Sequence, residues 1–305
     1  LGFDFPENTT SPVAIAFTVS IISLVALLMY ENRLARLGRN PIIDFALFRI
    51  KTFGLGSFAG LIISLGEFGI LFTLPLFMQS VLGWSAVGAG GLLATLAIGA
   101  FFTAPIAGQV ANKRSPRFVL QFGLLLEIIG IIGLSATLSP TQSGWVLGTW
   151  LTIYGMGVGF ATAQLTGLIL SDIPMEKSGQ ASGTQSTARQ VGSALGTAIL
   201  GTIVFVSLRF NTEQNLYALK VPENTANEIA EAVEKSAGTI IPTLASQGGS
   251  MEMVQAAQQA FADALRTTGW AAATFVALGL IASLALPKGD SHSRDSETQL
   301  IHDFE

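Results

Sequence analysis

One apolar run, Phe53–Gln79, constrains this chain more than any other feature. It exceeds the roughly 20 residues that a helix needs to cross a hydrocarbon core of about 30 Å. It also carries a carboxylate, Glu67, at its middle. Charged residues at that depth cost about 2.5–3.5 kcal/mol on insertion scales, and a carboxylate lowers the cost by keeping its proton. A group that can trade charge for a proton inside a membrane is suited to coupling proton movement to another process. The alternative is a Glu that hydrogen-bonds a neighbouring helix and serves packing alone.

At the helical repeat, Gly56, Gly60, Ser64 and Glu67 fall on one stripe and Phe58, Ile62, Leu65 and Leu76 fall opposite. The small, polar stripe is expected to face protein or water, and the bulky one lipid. Half of the 305 residues are hydrophobic (50%) and only 12% are charged. With a mean hydropathy of +0.56, this is the composition of an all-α integral membrane protein. The chain has no cysteine, which excludes disulfides and thiolate metal sites. His292 and His302 lie in a polar tail. No nucleotide-binding loop, nucleophile–base pair or metal-ligand cluster is visible, so neither an enzyme, a cofactor nor a nucleic-acid partner is expected.

Seven spans are expected, roughly Pro12–Tyr30, Phe53–Gln79, Ala86–Gly108, Phe118–Leu138, Gly144–Ser171, Gly179–Leu208 and Thr268–Leu286. The basic linker Glu31–Thr52 has an apolar interior, which implies a short interfacial helix. Residues 209–267 read as one acidic soluble domain. Within it Thr225–Glu228 fits a capping box, Gly238 a helix stop, and Val254, Ala257, Phe261 and Leu265 share a face. Residues 287–305 read as a disordered tail. The start, Leu1–Thr10, reads as the end of a loop, so the chain is expected to be the later part of a longer protein.

Of the 16 Lys and Arg residues, twelve fall in the linker, loop 109–117, the 172–190 region and the tail, and four fall in 209–267. The short loops decide topology, which places the twelve-residue side in the cytoplasm, the N-terminus outside and the C-terminus inside a plasma membrane.

The stretch Pro105-Ile-Ala-Gly108-Gln-Val-Ala-Asn112-Lys113-Arg114-Ser-Pro-Arg117 resembles the second copy of the loop motif of the major facilitator superfamily. The helix from Gly179 to Gly196, through Gly183, Arg189 and Gly192, resembles a region of that superfamily's fourteen-helix drug:proton antiporters. So does the linker, with Glu31, Arg33, Pro41 and Leu47-Phe48. The resemblance implies one extra transmembrane helix with its linker (1–52), then a C-terminal six-helix bundle (53–286) working against a missing N-terminal six-helix bundle. It departs at Asn112, where an Asp is expected, and at Ser115, where a Gly is expected. A charge-dependent latch at this loop is therefore in doubt, although Asn112 can still cap a helix.

Three residues are candidates for proton or substrate coupling: Glu67, Gln164 and Arg189. The family counterpart of the helix bearing Gln164 lines the central cavity. Arg189 needs an acceptor if buried, with Asp172 a candidate; the alternative is snorkelling to the interface. Gly108, Asn112, Lys113, Arg114 and Arg117 are a gating loop or simply topology determinants. Gly179/Gly183 and Gly192/Gly196 permit close helix approach, which by resemblance is to the N-terminal bundle. Gly155, Gly157 and Gly159 are expected to thin or bend their helix, and Glu127, on a peripheral helix, to be structural. The function implied is a proton-coupled exporter of amphipathic compounds, driven by a proton gradient with no cofactor. The alternatives are a carrier of another small solute, or a non-transporting membrane protein that binds a partner through residues 209–267.

Overall fold

The computed structural model describes residues 12–37 and 41–286, and within these all regular structure is helical. The order is α1 (Pro12–Arg36), a 3-10 turn (Phe45–Arg49), α2 (Lys51–Ser80), α3 (Ala86–Lys113), α4 (Pro116–Thr137), α5 (Gly144–Leu170), α6 (Ser178–Ala218), α7 (Glu223–Lys235) and α8 (Met251–Ser283). Six of these, α2 to α6 and α8, are long and apolar enough to cross a membrane. The expected first span is also a helix, α1, whose described residues from Ile15 to Tyr30 are exposed. The expected tail and loop end, with His292 and His302, lie outside the described residues.

Helix α2 is the hub. It packs most extensively on α6 and α8 and also touches α5, while α4 and α3 each lie along α5. Its sides are consequently buried nearly all round, with Leu55, Phe58, Phe68 and Phe72 left exposed, and Lys51 and Gln79 exposed at its ends. Leu65, expected toward lipid, is buried, because α6 lies directly over its carbonyl.

Small residues set these approaches. A side chain at Gly192 or Gly196 would run into the carbonyls of Leu61 and Leu65, so α6 and α2 touch backbone to backbone and run parallel. The partner of this glycine pair is thus α2 of the same bundle. Gly179 and Gly183 instead face open space, with nothing near enough to meet a Cβ. On α5, Gly155 and Gly159 abut α3, and Gly157 abuts α4 at Glu127. They are close-contact points in a helix that runs unbroken from Gly144 to Leu170.

Residues 209–267 are not a separate body. Thr212 and Leu216 are buried on a continuous α6, and α8 begins at Met251, capped by Ser250. The expected apolar face, Val254, Ala257, Phe261 and Leu265, is buried on α8, with Phe261 edge-on to Phe77 at 5.8 Å. Helix α7 starts at Glu223 after Pro222, so Thr225 is not its cap; Gly238, with φ +81°, follows its end.

At the opposite, basic end, the linker is stitched down. Glu31 accepts from the backbone N–H of Ile42 at 2.7 Å, and Gln180 donates to the Pro41 carbonyl at 2.7 Å. Asp44 caps the 3-10 turn and pairs with Lys177 at 2.6 Å. Thr52 donates to Asp172 at 2.8 Å. The expected interfacial helix is only this 3-10 turn, anchored by buried Leu47.

Two expectations follow for the full-length protein in detergent. Replacing Gly196 by Val should lower the thermal midpoint by the equivalent of about 1–3 kcal/mol, the usual cost of overpacking; an unchanged midpoint would refute the α2–α6 contact. Lys177 holds the Asp44 carboxyl below its ordinary range, through their hydrogen bond first and their charge attraction besides. Its folded pKa is below its unfolded one, so the pair stabilises above the ordinary carboxylate range and loses that contribution as pH falls through the folded value. Asp44→Asn should cost at most about 1 kcal/mol at pH 7, with the difference from wild type closing as the medium is acidified.

Candidate functional site

Glu67 is the centre of the site. It sits on α2 at 4% exposure, on the stripe that the helical repeat predicted. That stripe receives Arg189 from α6. Gly60 leaves room for the arginine stem, whose Cγ lies 3.6 Å from where a Cβ would be. Nε then donates to Ser64 Oγ at 3.3 Å, and Nη2 stands 3.9 Å from Glu67 Oε2. Arg189 therefore runs along the α2–α6 seam and does not snorkel. Its hydrogen-bond acceptor is Ser64 and its charge partner is Glu67; Asp172 is occupied by Thr52 and Ser171.

The arginine also connects the buried acid to an open surface. Its side chain is 26% exposed, beside an exposed stripe of α6 made of Gly179, Gly183, Ser186, Thr187 and Gln190. Such small and polar residues suit water or protein, not acyl chains. Further along α2 and α6, Ser57 Oγ, Thr184 Oγ1 and Gln185 Nε2 are buried without a partner among the described residues.

Two more groups complete the cluster. Tyr154 on α5 is fully buried, and its hydroxyl donates to the Glu67 backbone carbonyl at 3.2 Å. Glu127 on α4 has no exposure, and neither carboxylate oxygen has a hydrogen-bond partner among the described residues. It lies near enough to Glu67 and Arg189 to interact electrostatically with both. Sequence reasoning passed over Tyr154. Its signal was a tyrosine inside an otherwise apolar span, since a buried tyrosine hydroxyl usually finds a partner.

The other candidates do not join this cluster. Gln164 is half-buried on α5 and forms no hydrogen bond with the described residues. Gly108, Asn112 and Lys113 are exposed on the last turns of α3. Asn112 caps nothing; Ser115 caps α4, accepting from the Phe118 N–H. Arg114 lies over the Phe118 ring at 5.4 Å. Arg117 has a specific job, donating to the Leu286 carbonyl at 2.8 Å and so fastening the end of α8 to the start of α4. A separate recess of about 540 Å³ opens between the starts of α3 and α5, lined by Trp84, Trp145, Thr95 and Thr152 among others. It includes none of the acids.

A buried acid and arginine across a small-residue seam, in a six-span helical bundle, belong with membrane carriers, and comparison with known proteins agrees. The Major Facilitator Superfamily model matches residues 8–197. The chain belongs to this superfamily. Within it, the chain is similar to proteins named for drug resistance and efflux. The chain is 29% identical over 185 residues to the tetracenomycin C resistance and export protein of Streptomyces glaucescens, covering 61% of this chain and 34% of that protein. It is 25% identical over 270 residues to the multidrug efflux pump LfrA of Mycolicibacterium smegmatis, covering 88% and 52% respectively. The chain therefore spans a third to a half of the length of these relatives. A solved bacterial homologue of the human lysosomal transporter Spinster, inward-facing and occupied, superposes with a TM-score of 0.58 at 19% identity, over 77% of this chain and 48% of that one. That likeness shows the fold.

Tyr154→Phe removes one buried hydrogen bond and should destabilise the protein by about 0.5–1.5 kcal/mol, read as a lowered thermal midpoint. A midpoint equal to wild type would mean that the Tyr154–Glu67 contact does not hold the α2–α5 seam.

Proposed function

We propose that this chain is the C-terminal portion of a proton-coupled secondary transporter that exports amphipathic compounds by alternating access. The observation that carries the reading is Glu67, buried within a membrane-spanning helix beside Arg189, which is itself open to a small, polar helix face. An acid in that setting can be neutral with a proton or charged against a cation, and only the second state favours a positively charged or polarisable substrate. The relatives named for resistance, export and multidrug efflux support amphipathic compounds as the cargo.

In this reading, a second, N-terminal six-helix bundle covers the exposed stripe of α6 that begins at Gly179 and Gly183, and substrate binds near the midplane between the two bundles. The half-buried Gln164 on the cavity-side helix α5 contacts substrate. The basic end, with Lys113, Arg114 and Arg117, lies in the cytoplasm by the positive-inside rule, and the protein resides in the plasma membrane. The proton gradient supplies the driving force.

The test is efflux of ethidium, a lipophilic cation, from cells or vesicles carrying the full-length protein with an imposed pH gradient. Glu67→Gln should reduce efflux to the level of membranes lacking the protein while leaving its amount and monodispersity unchanged. Wild-type efflux by that variant would remove the proposal.

A further inference from the structure

Glu127 is a buried ionisable group for which transport through Glu67 alone has no use. Both of its oxygens are buried, with no hydrogen-bond donor among the described residues, whereas a buried ionised carboxylate without a partner is prohibitively costly. Its place is defined by close packing: a Cβ at Gly157 of α5 would lie 2.7 Å from Glu127 Cγ, and one at Gly130, a turn further along α4, would lie 2.6 Å from the Tyr154 N. Tyr154, a turn before Gly157, therefore rises from the same α4–α5 crossing. Its hydroxyl reaches across to the Glu67 backbone on α2. Tyr154 thus ties the α4–α5 crossing that holds Glu127 to the segment of α2 that carries Glu67, and Arg189 lies within electrostatic reach of both acids.

This enclosure contains two carboxyl groups and one guanidinium. Among the described residues no other titratable group faces Glu127: α5 contributes Tyr154, α2 Glu67 and α6 Arg189, while α3 before Lys113 and α8 between Arg266 and Leu286 carry none. Charge neutrality therefore asks for one carboxylate and one carboxylic acid. Arg189 stands beside Glu67, and Glu127 has no counter-ion.

We infer that Glu67 and Glu127 form a two-acid pair holding one proton between them against Arg189, with Glu127 as the reservoir on the support helix. In the exchange, the proton leaves the Glu127 carboxyl and bonds to the Glu67 carboxylate. Glu127 becomes the carboxylate that balances Arg189, and the total charge is unchanged. Two acids facing one guanidinium in a shared enclosure titrate as a pair. The pair deepens the proposed role of Glu67 and rests on it for its purpose.

Infrared spectroscopy of the full-length protein in detergent at pH 7 tests the pair through the carbonyl stretch of protonated carboxyl groups, without any substrate. Glu127→Gln should lose the intensity of one carboxylic acid relative to wild type, and Glu127→Asp should keep it at a shifted frequency. Glu67→Gln should also lose one, because Glu127 must then ionise to balance Arg189. Arg189→Gln should gain one, and it serves as the check if Glu67→Gln does not fold. An unchanged band in Glu127→Gln, or in Glu67→Gln, would overturn the pair; a purely structural neutral Glu127 gives the second result. Loss of ethidium efflux in Glu67→Gln with its band unchanged would sink the pair alone. Intact efflux with the expected band changes would sink the transport reading alone.

Discussion

The contact between Glu67 and Arg189 depends on how closely α6 can lie against α2. Backbone touching backbone at Gly192 and Gly196 brings the arginine stem over Gly60 and its head to Ser64 and Glu67. Any larger residue at those positions would separate the helices and leave an acid buried without its counter-ion, a costly arrangement in a low-dielectric interior. Packing and electrostatics are therefore one constraint here. Small residues are tolerated in the helices because they permit the ion pair, and the ion pair is tolerable because they hold it close.

The same device recurs around the hub. Gly157 and Gly130 bring α4 and α5 together at Glu127 and Tyr154, and Gly155 and Gly159 bring α3 onto α5. Lipid offers no hydrophobic drive between helices, so close van der Waals packing must supply the association. The result is a bundle in which Glu67 and Arg189 meet at the α2–α6 seam and Glu127 at the α4–α5 crossing, while the exposed surface of α1 and much of α3 is apolar. Polar residues reach the exposed surface of α6 in one stripe beside Arg189.

The spans were legible because membrane helices announce themselves by length and hydropathy alone. The stripe of Gly60, Ser64 and Glu67 was legible too, since it needs only the helical repeat. Partners were not. Arg189 could be expected to want an acceptor, and Asp172 was the candidate the sequence offered; Glu67 becomes its charge partner only because α2 and α6 run parallel. Gly192 and Gly196 advertised a close approach without saying to which helix. Residues 209–267 looked like a domain because polar composition hides the continuation of α6 and α8 past their apolar portions. Arg117, expected in a loop, turned out to hold a helix end 169 residues away, a pairing that no local pattern encodes.

The central claim is that Glu67 gains and loses a proton in competition with a cationic substrate. Dicyclohexylcarbodiimide, which attacks protonated carboxyl groups in apolar surroundings, reports this directly when adducts on the full-length protein are mapped by mass spectrometry. The account predicts labelling of Glu67 that falls as pH is raised and falls further when ethidium is added. Labelling of Glu67 indifferent to both, or absent at every pH, would contradict it.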